Sequence, residues 1–124
     1  MAKEKQLEQK LKKEFKRNNI EYFKIAGGRF QIKGMADLLV FHDFNSYALE
    51  LKYDLFKNRP TCTQLLQAER FGEHVIWLFV DFNNADYVLE QIKNNNTKVL
   101  KHYGSVQRKY FRELLKIKEK GKND

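Results

Sequence analysis

The chain has one cysteine, one proline, one tryptophan, two methionines and six glycines among its 124 residues. A single thiol, Cys62, excludes an intrachain disulfide framework and any zinc cluster built on cysteines. With one proline and scattered glycines there is no linker, repeat or low-complexity stretch. No apolar run approaches the roughly 18–20 residues of a membrane span, and the opening MAKEKQLEQKLKK lacks the apolar stretch of a secretion signal. These absences predict a soluble, intracellular protein with no membrane partner. Its 42% hydrophobic and 14% aromatic content is enough to bury a core, so one domain is expected over residues 1–124.

Acidic residues are the minority, and their shortage is uneven. Residues 1–17 carry seven basic and three acidic groups, and residues 98–124 carry nine and three. The middle, 18–97, holds eight basic and ten acidic groups, a net charge of −2 within a chain of net +8. Basic flanks around a slightly acidic centre suit a polyanion-binding surface surrounding a site that holds cations. Solvated helix faces would give the same counts.

Leu7, Leu11 and Phe15 recur at four-residue spacing and predict an amphipathic helix over about 3–18. Ile20–Ala26 reads as a strand ended by Gly27-Gly28. Two apolar runs, 35–41 (MADLLVF) and 46–53 (SYALELKY), flank His42-Asp43-Phe44-Asn45 and predict a β-hairpin. Thr61 opens a helix to about Gly72, and Val75–Val80 is a continuous apolar run that predicts a strand buried on both faces. Asn83 or Asn84 is expected to cap a helix carrying Val88, Leu89 and Ile92. Val99–Tyr103 reads as a short last strand. Ser105 then caps a terminal helix with Tyr110, Phe111, Leu114 and Leu115 inward and Arg108, Lys109, Arg112 and Lys116 outward. The pattern is that of an α/β sandwich.

Alternation places Tyr47, Leu49, Leu51 and Tyr53 on one strand face and Ala48, Glu50 and Lys52 on the other. A turn about Asp43-Phe44 would pair Leu38 with Leu49, Val40 with Tyr47 and Asp37 with Glu50, while a slip by one stays open because no Asn-Gly or Asp-Gly marks the turn. Two carboxylates opposite each other on neighbouring strands repel, so the arrangement needs positive charge nearby. Lys52 is one source, and a divalent cation held by both acids is a better one. Hard oxygen donors, few in number, describe Mg²⁺. Lys52 would then orient a water or stabilise charge on a reacting phosphate. An ordinary cross-strand acid and lysine is the bland reading of the same residues.

Gly34-Met35-Ala36-Asp37, twelve residues, then Glu50-Leu51-Lys52 resembles the motif of the PD-(D/E)XK nuclease superfamily. Within it the chain looks most like the virus-type replication-repair nuclease group, relatives of Holliday-junction resolvases. The resemblance spans about Glu8 to Gln64. It implies a restriction-endonuclease-like core, a mixed β-sheet flanked by helices in the order αβββαβ, followed by a C-terminal helix. It also implies a Mg²⁺-dependent DNA endonuclease, with Mn²⁺ able to substitute, acting on four-way junctions or other branched DNA, and a homodimer where the substrate is two-fold symmetric. Carried over by position, Asp37, Glu50 and the backbone carbonyl of Leu51 would hold the metal, with Lys52 as the catalytic lysine. Glu8, with Glu14 as its rival, would be a further ligand on the first helix. Gln64 matches a recurrent glutamine of the family, and Thr61-x-x-Gln64 is equally a capping box. Ala36 departs from the usual proline, which shapes backbone and binds no metal.

Lys24, Arg29 and Lys33 are candidate phosphate contacts, and Gly34 would let a DNA backbone approach closely. His42, His74 and His102 share no metal-ligand spacing, and Trp77 is expected in the core. Two other functions fit the composition. One is a catalytically inactive nucleic-acid-binding module of the same fold, and the other a structural protein whose basic ends meet an acidic partner.

Overall fold

The computed structural model describes residues 2–25 and 33–123. Its elements run α1 (Ala2–Arg17), β1 (Glu21–Lys24), β2 (Leu38–His42), β3 (Asn45–Leu51), α2 (Cys62–Phe71), β4 (Ile76–Val80), α3 (Ala85–Lys93) and α4 (Thr97–Asn123). The strands form one four-stranded mixed sheet in the order β1-β2-β3-β4, antiparallel except for the parallel β3–β4 pair. A parallel pair needs a crossover connection, and α2 supplies it. The architecture is α/β and consistent with a restriction-endonuclease-like fold. No described helix is long and apolar enough to cross a membrane.

Period-2 alternation sorts the sheet into two cores. Leu38, Val40, Tyr47, Leu49, Leu51, Leu78 and Val80 pack with Leu7, Leu11 and Phe15 of α1 and with Val88, Leu89 and Ile92 of α3. Ala48, Trp77 and Phe79 face the other way, toward Leu65 and Ala68 of α2 and Phe111 of α4. The hairpin has the expected register, with Leu38 opposite Leu49 and Val40 opposite Tyr47. Asp43 and Phe44 turn it with φ of 47° and 67°, the left-handed geometry that a two-residue turn between twisted strands requires.

The last third differs from the reading of its sequence. Val99–Tyr103 is helical, and Ser105 lies inside α4 rather than at its start. The helix buries Leu100, Gly104, Gln107 and Phe111, a stripe at four- and three-residue spacing. Gly104 is part of that stripe because α4 crosses the open edge of β4. A Cβ there would lie 2.5 Å from the Trp77 carbonyl oxygen. Tyr110, expected inward, is 47% exposed, and Arg108, expected outward, is half-buried and donates to the Trp77 carbonyl.

Asn84 occupies the N-cap position of α3 without capping it. Its amide instead donates to the Phe79 carbonyl and the Tyr103 hydroxyl, while its Oδ1 accepts from Asp81 N. The buried Asp81 carboxylate accepts from the backbone N–H groups of Asn83 and Asn84, and from that of Leu55 at 2.8 Å. It therefore ties the loop after β3 to the end of β4.

Gln107 closes the β4 edge. Its Oε1 accepts from Phe79 N at 2.9 Å and its Nε2 donates to Phe79 O at 2.7 Å, satisfying both outward-facing backbone groups of that residue. Gln107→Leu keeps the volume but leaves a buried donor and a buried acceptor unpaired. Urea denaturation is expected to show a loss of about 2–6 kcal/mol, at about 1–3 kcal/mol for each orphaned group. A loss below about 0.5 kcal/mol would mean that water replaces the amide without cost.

Candidate active site

Asp37 lies one residue before β2, and its backbone N–H donates to Leu49 O, so the ladder carries on to the acid itself. Its Oδ2 accepts from the backbone N–H of Leu51 at 2.7 Å, which fixes the carboxyl against the end of β3. Glu50 is one residue back on β3, only 3% exposed, and close enough to Asp37 for the two carboxyls to act on each other. Lys52, 7% exposed, follows on the same face as Glu50, and its backbone N–H donates to Val80 O. The three groups placed together by strand alternation thus stand together in the structure.

Burial, and then the neighbouring Asp37 charge, push the Glu50 carboxyl up to about 9, against a partial offset from the Lys52 ammonium. Burial likewise raises Asp37, opposed mainly by the Leu51 N–H. Two acids held so that they resist ionising together form a site short of positive charge. Gln64 confirms the deficit from the other side. Its Nε2 donates to Glu50 Oε1 at 3.0 Å, but the buried Oε2 has no donor. A divalent cation fits this donor set, because it would take the orphaned oxygen and replace the retained proton.

Gln64 forms the capping box foreseen for it. Thr61 Oγ1 accepts from Gln64 N and Gln64 Oε1 accepts from Thr61 N, a complete capping box. The same side chain meets Glu50 through its free NH₂. The cap therefore holds the amide in the one orientation that donates to the acid.

A cleft of about 320 Å³ opens beside Asp37, lined by Glu4, Lys5, Glu8, Lys24, Asp37 and Leu51. Glu8 is therefore at the site and Glu14 is not; Glu14 pairs with Arg17 at the far end of α1. Burial would raise Glu8, but the Lys24 and Lys12 ammonium groups, at 3.1 Å and 3.2 Å, hold it below the usual carboxylate range. Glu4 is the residue the sequence reading missed. Its charge contributes to raising both Asp37 and Glu50, and Asn58 Nδ2 donates to it at 3.2 Å. The four-residue spacing of Glu4 and Glu8, one helical turn on a shared face, was the available signal.

The phosphate-contact candidates divide. Lys24 lines the cleft but is engaged with Glu8, and the exposed Lys33 offers its carbonyl to Gln67 Nε2. Arg29 lies outside the described residues. Gly34 answers to the protein's own packing. Its φ is +82°, and a Cβ there would sit 2.9 Å from Thr63 Cγ2 and from Thr63 O, at the start of α2.

Comparison with known proteins yields no match: no family model, no curated protein and no solved structure matches the chain.

Proposed function

We propose that the protein is a Mg²⁺-dependent endodeoxyribonuclease, with Mn²⁺ able to substitute, that hydrolyses phosphodiester bonds in branched DNA. The observation that carries this reading is the buried Glu50 beside the half-buried Asp37, with one Glu50 oxygen left without a donor and Lys52 alongside. Asp37, Glu50 and the carbonyl of Leu51 would hold the metal, with Glu8 and Glu4 at the cleft wall. When bound, such an ion polarises a phosphoryl oxygen and makes its water more acidic. Gln64 keeps Glu50 oriented, the Leu51 N–H keeps Asp37 oriented, and Lys52 presents a fixed cation where negative charge develops on the phosphate.

Substrate binding is assigned to the basic ends. The net charge of +8 makes phosphate neutralisation the main source of affinity, so binding weakens steeply with salt. For six to ten phosphate contacts the loss from 50 mM to 200 mM salt is about 10³–10⁵-fold. Fluorescence anisotropy across that range measures it, and a change under about threefold would remove DNA from the proposal. Cleavage is tested on labelled four-way junction, flap and linear duplex with Mg²⁺, Mn²⁺ or EDTA. Cutting that requires the metal is expected, with a branched substrate preferred. Binding without cutting on every substrate would instead identify a catalytically inactive binding module. Acting on a two-fold junction calls for two copies of the chain, and light scattering with and without junction DNA shows whether they assemble.

A further inference from the structure

A second cleft among the described residues plays no part in the acid site. It is a cleft of about 560 Å³ between the loop that follows Lys52 and the α4 helix. Its walls include Phe56, Lys57 and Arg59 from the loop and Phe111, Leu114 and Leu115 from α4. Lys57 and Arg59 are the only charged side chains lining it among the described residues, and neither is ion-paired there. The nearest acid along the loop, Asp54, is turned to the backbone N–H groups of Phe56 and Lys57, at 2.9 Å and 3.3 Å. A second recess of about 240 Å³ adjoins it, with Phe56, Val106, Tyr110 and Phe111 in its walls. Phe56 and Phe111 line both. Phe56 is 68% exposed and Tyr110 47% exposed, so aromatic faces border a cationic cleft on open surface.

We propose that this double recess binds an unpaired segment of a DNA strand, its bases stacking on Phe56 and Tyr110 and its phosphates meeting Lys57 and Arg59. Stacking on aromatic faces beside cations holds single strands with little regard to sequence, because every base has a π-face. A double helix keeps its bases stacked on one another and has none to offer. The recess is connected to the acid site through a single stretch of chain. Thr61 lines the cleft and caps α2, and in the same capping box Gln64 reaches Glu50. A strand leaving the acid site has this recess one loop away. The inference rests on the nuclease reading for the identity of the strand, and it narrows the substrate class to DNA with an unpaired arm, such as a flap.

The test uses the full chain in EDTA, where no cutting occurs. Labelled oligothymidylate and a blunt duplex are titrated against wild type, Phe56→Ala and the double variant Lys57→Ala/Arg59→Ala. These side chains are exposed, so thermal unfolding should be unchanged. Phe56→Ala is expected to weaken oligothymidylate binding about tenfold and duplex binding less than twofold. The double variant should weaken oligothymidylate binding and reduce its salt slope. Equal effects on both DNAs, or none, would overturn the proposal. So would displacement of the oligonucleotide from wild type by an acidic, leucine-containing peptide at lower concentration than by unlabelled oligothymidylate, which would mark a protein-docking groove. The two readings fail separately. Variant-sensitive oligothymidylate binding without metal-dependent cutting would sink the nuclease and keep the recess. Cutting with an unchanged flap-to-duplex ratio in Phe56→Ala would sink the recess and keep the nuclease.

Discussion

Glu50→Gln is expected to stabilise the metal-free protein while abolishing its metal-dependent cleavage. The wild-type carboxyl is buried beside Asp37 and has its pKa pushed up to about 9, against 4.5 when unperturbed. Below pH 4.5 both folded and unfolded chains hold the proton and nothing is lost. Between 4.5 and about 9 the unfolded chain releases it and the folded chain keeps it, so stability falls as pH rises. One proton corresponds to a slope of at most about 1.4 kcal/mol per pH unit. Glutamine has no proton to lose and still offers Oε1 to Gln64, so the gap between variant and wild type should widen through that window and level off above it. Divalent cations should reverse the order, raising the Tm of wild type and leaving that of the variant nearly unchanged. Cleavage, resting on the charged carboxylate, should drop by about 10³-fold or more. Thermal scans at pH 5, 7 and 9, with EDTA or Mn²⁺, test both halves. A variant less stable than wild type at pH 8 in EDTA would show that the wild-type pair carries no strain.

The apolar pattern of the hairpin is what makes the acid pair legible in the sequence. A hairpin register fixed by Leu38, Val40, Tyr47 and Leu49 leaves Asp37 and Glu50 no choice of face, since a one-residue slip would turn the whole apolar set outward. The acid pair therefore follows from the hydrophobic pattern. Glu4 did not follow, because helical periodicity gives a face but not its depth over the sheet end. The start of α4 differs from its sequence pattern for a related reason. Val99 and Tyr103 carry strand-like residue types ahead of a glycine, while the stripe that makes the segment helical runs through Gly104 and Gln107. Their burial depends on the unpaired edge of β4, a partner distant in sequence. Asp81 is likewise silent, because three of the donors to its carboxylate, at Leu55, Asn83 and Asn84, are backbone N–H groups, which leave no trace in residue type.

Lys52→Met should separate binding from chemistry. The lysine is 7% exposed, and methionine keeps an unbranched apolar stem of similar length, so the packing cost is about 1 kcal/mol or less. Its ammonium favours ionisation of both Asp37 and Glu50, so removing it leaves their protons held more tightly in the metal-free state. Addition of Mn²⁺ at neutral pH should then release more protons than from wild type, a readout that needs no catalysis. Metal-induced thermal stabilisation and DNA affinity should persist, since Asp37, Glu50 and the basic ends are untouched. Cleavage should fall by about 10²–10³-fold, the usual effect of deleting a preorganised group that stabilises developing charge. Lys52→Arg should not restore it, because a planar fork cannot place its charge where a compact ammonium stood. Cleavage within threefold of wild type in Lys52→Met would remove the lysine from the chemistry. Loss of the Mn²⁺-induced Tm shift would instead make it a structural support of the acid pair.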